Sequence, residues 1–397
     1  MHRRQLLKML AAMSALSLAQ VSGRLFAAPA VKSKLLVVFL RGGYDAANFL
    51  VPISSDLYYE KRPNIAIAKP GDDLTSALPL NTNWGLHPAL RETIFPLYNK
   101  GEAAFIPFAG TDDLTRSHFE TQDSIELGQP LGRTRNFQSG FLNRLAAVLN
   151  DRGAISFTDQ LPIVMQGDLQ VSNATLRSLA KPSIDARQSA IIASMYENTR
   201  LAKQVSDGFS IRDEVMRELS SEMDMASRNA VSAKGFELEA RRIAKLMKDK
   251  HNIGFVDVGG WDTHVGQGGA SGYLAGRFEE LGRGLAAISE EMGADWRNTV
   301  VVVVSEFGRT FRENGNRGTD HGHGTVYWVL GGGIKGGQVA GEQMRIERPA
   351  LFQDRDYPVL NEYRAVFGGL FARIYGLNEA QLARVFADAK PRDLGLI

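Results

Sequence analysis

The sequence predicts an α/β fold: a mostly parallel central sheet flanked by helices, with a helical insertion. Short, continuously apolar, β-branched runs stop abruptly at glycines. The stretches between them carry apolar residues at helical spacing. Strand, glycine turn, helix, strand is the order expected of α/β proteins, whose central strands are buried on both faces.

The N-terminus stands apart from this pattern. Arg3 and Arg4 precede a mildly apolar stretch over residues 9–21, and Ala28-Pro29-Ala30 offers small residues for cleavage. Residues 1–30 therefore predict a removable twin-arginine signal peptide, too short and too polar for a stable membrane span. The expected partner is the twin-arginine translocase, and the expected location is periplasmic or extracellular. The first thirty residues carry four cations and no acid, so their removal leaves 42 cations against 44 acids. A nearly neutral chain predicts no nucleic-acid partner. There is no cysteine, so core burial or a metal must stabilise the exported form.

The first predicted strand is the run 35–40, closed by Arg41-Gly42-Gly43-Tyr44-Asp45. Similar strands are predicted over 253–258, before Gly259-Gly260-Trp261-Asp262-Thr263-His264, and over 299–304, before Ser305-Glu306-Phe307-Gly308-Arg309. A fourth, over 326–330, ends in three glycines read as a tight turn. Phe236, Ala240, Ile243 and Met247 line one helix face, and a second helix spans about 273–292. The charge-rich segment from about 187 to 250 predicts a helical layer or lid inserted in the sheet. Residues 56–79 read as a surface excursion, and the C-terminal part from 361 to 386 as mostly helical. One domain over 31–397 accounts for all of this.

Ligands of open α/β sheets bind beyond the carboxyl ends of the strands. Three predicted strands end there in acids: Asp45, Asp262 and Glu306. His264 lies two residues from Asp262, and Asp320-His321-Gly322-His323-Gly324 precedes the fourth strand. Histidine with carboxylates suits zinc or a similar divalent ion. Asp45, Asp262, His264, Glu306, Asp320, His321 and His323 are thus the predicted metal ligands, enough for one or two ions, with zinc first and Mn, Mg or Ca as alternatives. Ser117, with Glu120 three residues on, fits a helix capping box, and the same placement makes it a candidate nucleophile at a positive helix end. Arg116 and Arg309 are candidate clamps for phosphate or sulfate oxygens, or ordinary surface charges.

Taken with the twin arginines, the runs Phe39-Leu40-Arg41-Gly42-Gly43-Tyr44-Asp45, Arg116-Ser117-His118-Phe119-Glu120-Thr121-Gln122, Gly260-Trp261-Asp262-Thr263-His264, Ser305-Glu306-Phe307-Gly308-Arg309-Thr310 and Asp320-His321-Gly322-His323-Gly324 make the chain resemble the DUF1501 family. That family looks like a remote branch of the alkaline phosphatase and sulfatase superfamily. The resemblance implies an alkaline phosphatase-like fold and an exported metal-dependent hydrolase of small or polymeric phosphate or sulfate esters. In it Asp45, Asp262, His264 and His321 or His323 would correspond to ligands, and Ser117 to the nucleophile. Phe307 departs from it, standing where the superfamily places a histidine; either Asp320 or His321 would then supply the missing ligand, or one metal site is lost. The alternative is a periplasmic binding or assembly protein with a degenerate site of the same fold.

Overall fold

The computed structural model describes residues 33–174, 186–209 and 235–397. The signal segment 1–30 and much of the predicted insertion lie outside the described residues.

The main sheet contains β1 (Lys34–Leu40), β2 (Ala103–Gly110), β3 (Ile155–Ser156), β4 (Ser172–Asn173), β5 (Ile253–Val258), β6 (Thr299–Ser305), β7 (Thr325–Leu330), β8 (Gln338–Val339) and β9 (Asn361–Glu362). Its order is β8-β2-β7-β6-β1-β5-β3-β4, with β9 also on β2. All neighbours are parallel except β7, which runs against both β6 and β2. The register sets Leu40 beside Val258 and Ser305. The segments that follow β1, β5 and β6 therefore leave one edge together. Because β7 is reversed, its entry faces that same edge and delivers the histidine loop there.

Period-two alternation gives each strand two buried faces. Leu36, Val38 and Leu40 of β1 join a core with Phe278, Leu281 and Met247, from α4 (Phe236–Asp249) and α5 (Tyr273–Met292). Leu35, Val37 and Phe39 point the other way, into a core with Leu142, Leu145, Phe367 and Phe371, from α2 (Phe141–Leu149) and α6 (Tyr363–Tyr375). Helices cover both faces of a mostly parallel sheet, as predicted. Of the remaining helices, α1 (His118–Leu127) opens at the site edge and α3 (Ala186–Tyr196) lies in the predicted insertion.

Two expectations are refined. Of the layer or lid expected from about 187 to 250, the described C-terminal end is a layer: α4 buries Phe236, Ala240, Ile243 and Met247 against the sheet and α5, because that apolar stripe has a core to meet. The 56–79 excursion is not wholly superficial, since Arg62, Ile65 and Ile67 are buried. Among the described residues, no helix is long and apolar enough to cross a membrane.

Candidate metal centre

The site grows from the glycines after β1. Gly42 has φ +123°, and a Cβ there would meet the Asp262 backbone nitrogen at 2.7 Å. Only glycine lets these two strand ends lie so close. The Gly42 N–H donates to Glu306 Oε1 at 2.8 Å. Gly43, at φ +62°, leaves room for the Phe307 ring. That ring packs between histidines, 4.9 Å from His118 and 5.2 Å from His321.

Three imidazoles converge beside it. Nε2 of His118 lies 3.0 Å from Nε2 of His321, which lies 3.1 Å from Nε2 of His264. The Asp262 carboxylate joins them: Oδ1 is 2.9 Å from His264 Nε2 and 3.3 Å from His321 Nε2, and Oδ2 is 3.4 Å from His118 Nε2. Ligand atoms of His118, Asp262 and His321 all lie within 4.8 Å of one another.

The outer nitrogen of each ring settles which atom carries the proton. His118 Nδ1 is 2.8 Å from Glu306 Oε1, an oxygen that also accepts from Gly42 N–H and Gln122 Nε2. His321 Nδ1 faces the Arg116 carbonyl at 3.0 Å, and His264 Nδ1 faces Asp320 Oδ1 at 3.2 Å. Acceptors at all three outer positions favour Nδ1–H donors, which leaves the Nε2 atoms of His118 and of His264 each facing Nε2 of His321. Lone pairs at 3.0 Å repel unless a cation stands between them. Ligands around a tetrahedral zinc ion at ~2.0–2.1 Å lie ~3.3 Å apart, and the spacings here bracket that value. Outer acceptors on metal-bound histidines are the usual companions of such a centre. The residues fit a divalent ion.

The electrostatics agree. The Glu306 hydrogen bond, with the Glu306 and Asp262 charges, lifts His118 above the ordinary histidine range despite burial. Burial and the adjacent His118 charge push His321 down. Burial alone would raise Asp262, yet Arg309, His264 and His118 hold it below the usual carboxylate range. Glu306 is likewise held low against its burial, by His118, Gln122 and backbone N–H groups.

The predicted residues divide into groups. Asp262, His264 and His321 converge. Asp45 lies in the floor: Arg62 binds both its oxygens, at 2.5 and 3.0 Å, and Gln267 donates to Oδ2 at 2.6 Å. With both oxygens committed and its charge matched, Asp45 is not placed as a ligand. Glu306 and Asp320 orient rings from behind rather than facing the centre. His323 points away onto Phe352, at 4.9 Å between rings, and burial lowers it to about 4. Arg116 turns Nε and Nη2 to Asp356 and Nη2 also to Gln353, away from the imidazoles. Its backbone matters more: at φ +52° it aims its carbonyl at His321. Arg309 is buried, donating at 2.8 Å to Asp262 Oδ1 and to the Thr319 carbonyl. Ser117 precedes α1 without any side-chain cap bond, because Glu120 turns to Arg135 and no capping box forms.

The sequence reading does not include His118 among its candidate ligands, yet the structure brings it to the centre. Its signal stands in Arg116-Ser117-His118, beside the serine at the helix start. Gln267 and Asp356 left no sequence signal, being single polar residues more than 200 positions from Asp45 and Arg116.

A comparison with curated protein sequences gives no match. Among solved structures the chain is similar to a protein of the alkaline phosphatase superfamily from Vibrio parahaemolyticus, at 11% identity and TM-score 0.39, covering 91% of this chain and 69% of that one. It is also similar to the lipoteichoic acid synthase LtaP from Listeria monocytogenes, at 10% identity and TM-score 0.37, covering 93% and 77%. The sequence matches the DUF1501 family, proteins of unknown function, over residues 32–386, and the chain belongs to that family.

Proposed function

We propose that the chain is an exported, metal-dependent hydrolase of phosphate or sulfate esters, built around one divalent ion. The observation that carries this reading is the convergence of His118, Asp262 and His321, with His264 beside them and each imidazole held from behind by an acceptor. Nitrogen-rich mixed ligation favours zinc. One ion rather than two follows from Asp45 and Glu306, whose oxygens are already engaged. Such an ion neutralises ester oxygens and eases ionisation of a nearby hydroxyl.

The protein's own parts have distinct tasks in this reading. His118, Asp262 and His321 hold the ion, with His264 beside them. Arg309 keeps Asp262 ionised and aimed. Ser117 is the candidate nucleophile: it stands next to His118 at a helix start, and its hydroxyl is not used in capping. Export by the twin-arginine route rests on residues 1–30. Replacing Arg3 and Arg4 by lysine should stop a fused folded reporter from crossing the inner membrane.

The decisive test is metal analysis of the purified full chain together with hydrolysis of p-nitrophenyl phosphate and p-nitrophenyl sulfate. The wild type should hold about one ion, and a His118→Ala/His321→Ala variant should lose it along with any hydrolysis. Ser117→Ala should keep the ion and lose hydrolysis. A wild type without metal, or a double variant that retains it, overturns the reading. Metal without hydrolysis favours a binding protein, to which the Phe307 ring packed over two of the histidines lends some weight.

A further inference from the structure

A cleft of about 780 Å³ lies against the candidate metal centre and includes Asp320 and Arg355 in its wall. These residues belong to the shell around the imidazoles. Asp320 holds His264, and Arg355 Nη2 donates to the His321 carbonyl at 2.7 Å. Whatever fills the cleft therefore touches groups that position two of the histidines. Its size is that of a small-molecule site.

The donors and acceptors lining it are unevenly committed. Glu313 is turned away: its two oxygens accept from the Asn64 and Ile65 backbone and from the Asn64 side chain. Asp320 Oδ1 accepts from His264 and from Asn314. The cations are freer. Arg312 is exposed and donates no hydrogen bond among the described residues, and Arg348, with Asp354 at 3.9 Å and the Glu60 charge nearby, donates none either. Lys61 adds a third cation, paired with Glu60, which is not part of the wall. Two adjoining wall residues, Gln353 and Asp354, are both held at positive φ, +55° and +53°. They are the central pair of a tight hairpin turn, closed by the Arg355 N–H donating to the Phe352 carbonyl.

We propose that this cleft receives the part of the substrate that does not react, and that this part carries an anionic group of its own, met by Arg312 and Arg348. The inference deepens the hydrolase reading and rests on it for the word substrate. A guanidinium with uncommitted donors is the residue best suited to a phosphate, sulfate or carboxylate. A hydrolase that reads a remote charge beside its metal ligands gains binding energy for orienting the ester.

The probes are methyl phosphate, glucose 6-phosphate and glucose 1,6-bisphosphate, titrated calorimetrically into the full chain. The bisphosphate should bind at least about tenfold more tightly than the monophosphate, the scale of one charge-assisted contact. The Arg312→Ala/Arg348→Ala variant should lose that preference while keeping metal content, thermal midpoint and methyl phosphate affinity. Both side chains are exposed, so the fold should tolerate the change. Equal affinity of the wild type for the two sugars, or a preference that survives the double substitution, overturns the proposal. Failure of the hydrolase reading shows separately, as a chain without metal. The preference between the two sugars is read in that chain too.

Discussion

Asp45 and Asp262 carry the same sequence signature, an acid just past a buried strand and a glycine, yet their surroundings give them opposite uses. Asp45 is fully buried, and Arg62 and Gln267 occupy its oxygens. Asp262 is half exposed, with one arginine behind it and three histidine nitrogens in front. The floor of the site is electrically closed; its mouth is one positive charge short. A carboxylate's position in a strand-end motif brings it to the site edge, but its partner decides whether it serves structure or chemistry.

The largest effect should come from breaking the closed side. Asp45→Ala leaves Arg62 buried without its counter-charge, which should cost about 3–5 kcal/mol of stability. Urea unfolding of apo protein measures this. Metal stoichiometry in whatever fraction folds should stay near the wild-type value, and loss of metal without loss of stability would reverse the roles assigned to the two acids.

His87 sharpens the contrast among histidines. It is buried, its Nδ1 accepts from Ala89 N–H, and its Nε2 meets the Gly269 carbonyl, so both nitrogens are occupied in the neutral form. Burial lowers it from 6.5 to about 4. The unfolded chain therefore binds this proton first as pH falls. The stability from His87 is complete above about pH 6.5 and drains away down to about 4, on the order of 3 kcal/mol in all. His87→Asn keeps the cap acceptor and should flatten that acid limb. Urea midpoints at pH 7, 5.5 and 4.5 would show the wild-type advantage shrinking, and an unchanged gap would remove His87 as its source.

On the open side, Asp262→Asn should change stability little and metal affinity greatly. The amide oxygen still accepts from Arg309, but the charge facing the ion is gone. Affinity should fall about 100-fold or more, on the scale of a lost ligand charge near a divalent ion. Competition with a chromophoric chelator reads it. An unchanged affinity would mean that the ion, if any, sits elsewhere.

The smallest effect should come from Asp356→Asn. Asp356 accepts from Arg116 and from Arg355, and these two arginines grip His321 at its ring and at its own carbonyl. Loosening an outer support of a ligand typically costs 10–100-fold in metal affinity. The same chelator competition measures it, and a loss matching that of Asp262→Asn would put Asp356 closer to the ion than its distances allow.

Much of the architecture was legible because its causes are local. The runs behind β1, β5, β6 and β7 are apolar on both faces, and the stripe of α4 and the full span of α5 follow from helical spacing alone. Asp262, His264 and His321 were readable for a similar reason, as acid and histidine close together in glycine-rich turns. The strand β2 was not anticipated, and neither was the division of labour within the acids. Whether Asp45 or Asp262 faces a ligand depends on Arg62 and Arg309. Arg62 reaches Asp45 out of what reads as a surface excursion. His118 was hidden by its neighbour: at a helix start, serine draws the capping explanation. Its imidazole acquires meaning only when β2 and β6 bring Glu306 to its outer nitrogen.

The reversal of β7 has a consequence for how the site is distributed along the chain. Since β6 leaves and β7 enters at one edge, the short excursion between them carries Glu306, Phe307, Arg309, Asp320 and His321 as a single piece. His118 and Asp262 arrive from far away: the contacts of His321 with them span 203 and 59 residues of chain. An ion bound by all three would act as a cross-link closing two long loops, and loop closure removes entropy chiefly from the unfolded chain. Metal loading would then slow unfolding and deny proteases their openings. That gain in persistence is a use of the ion separate from any turnover.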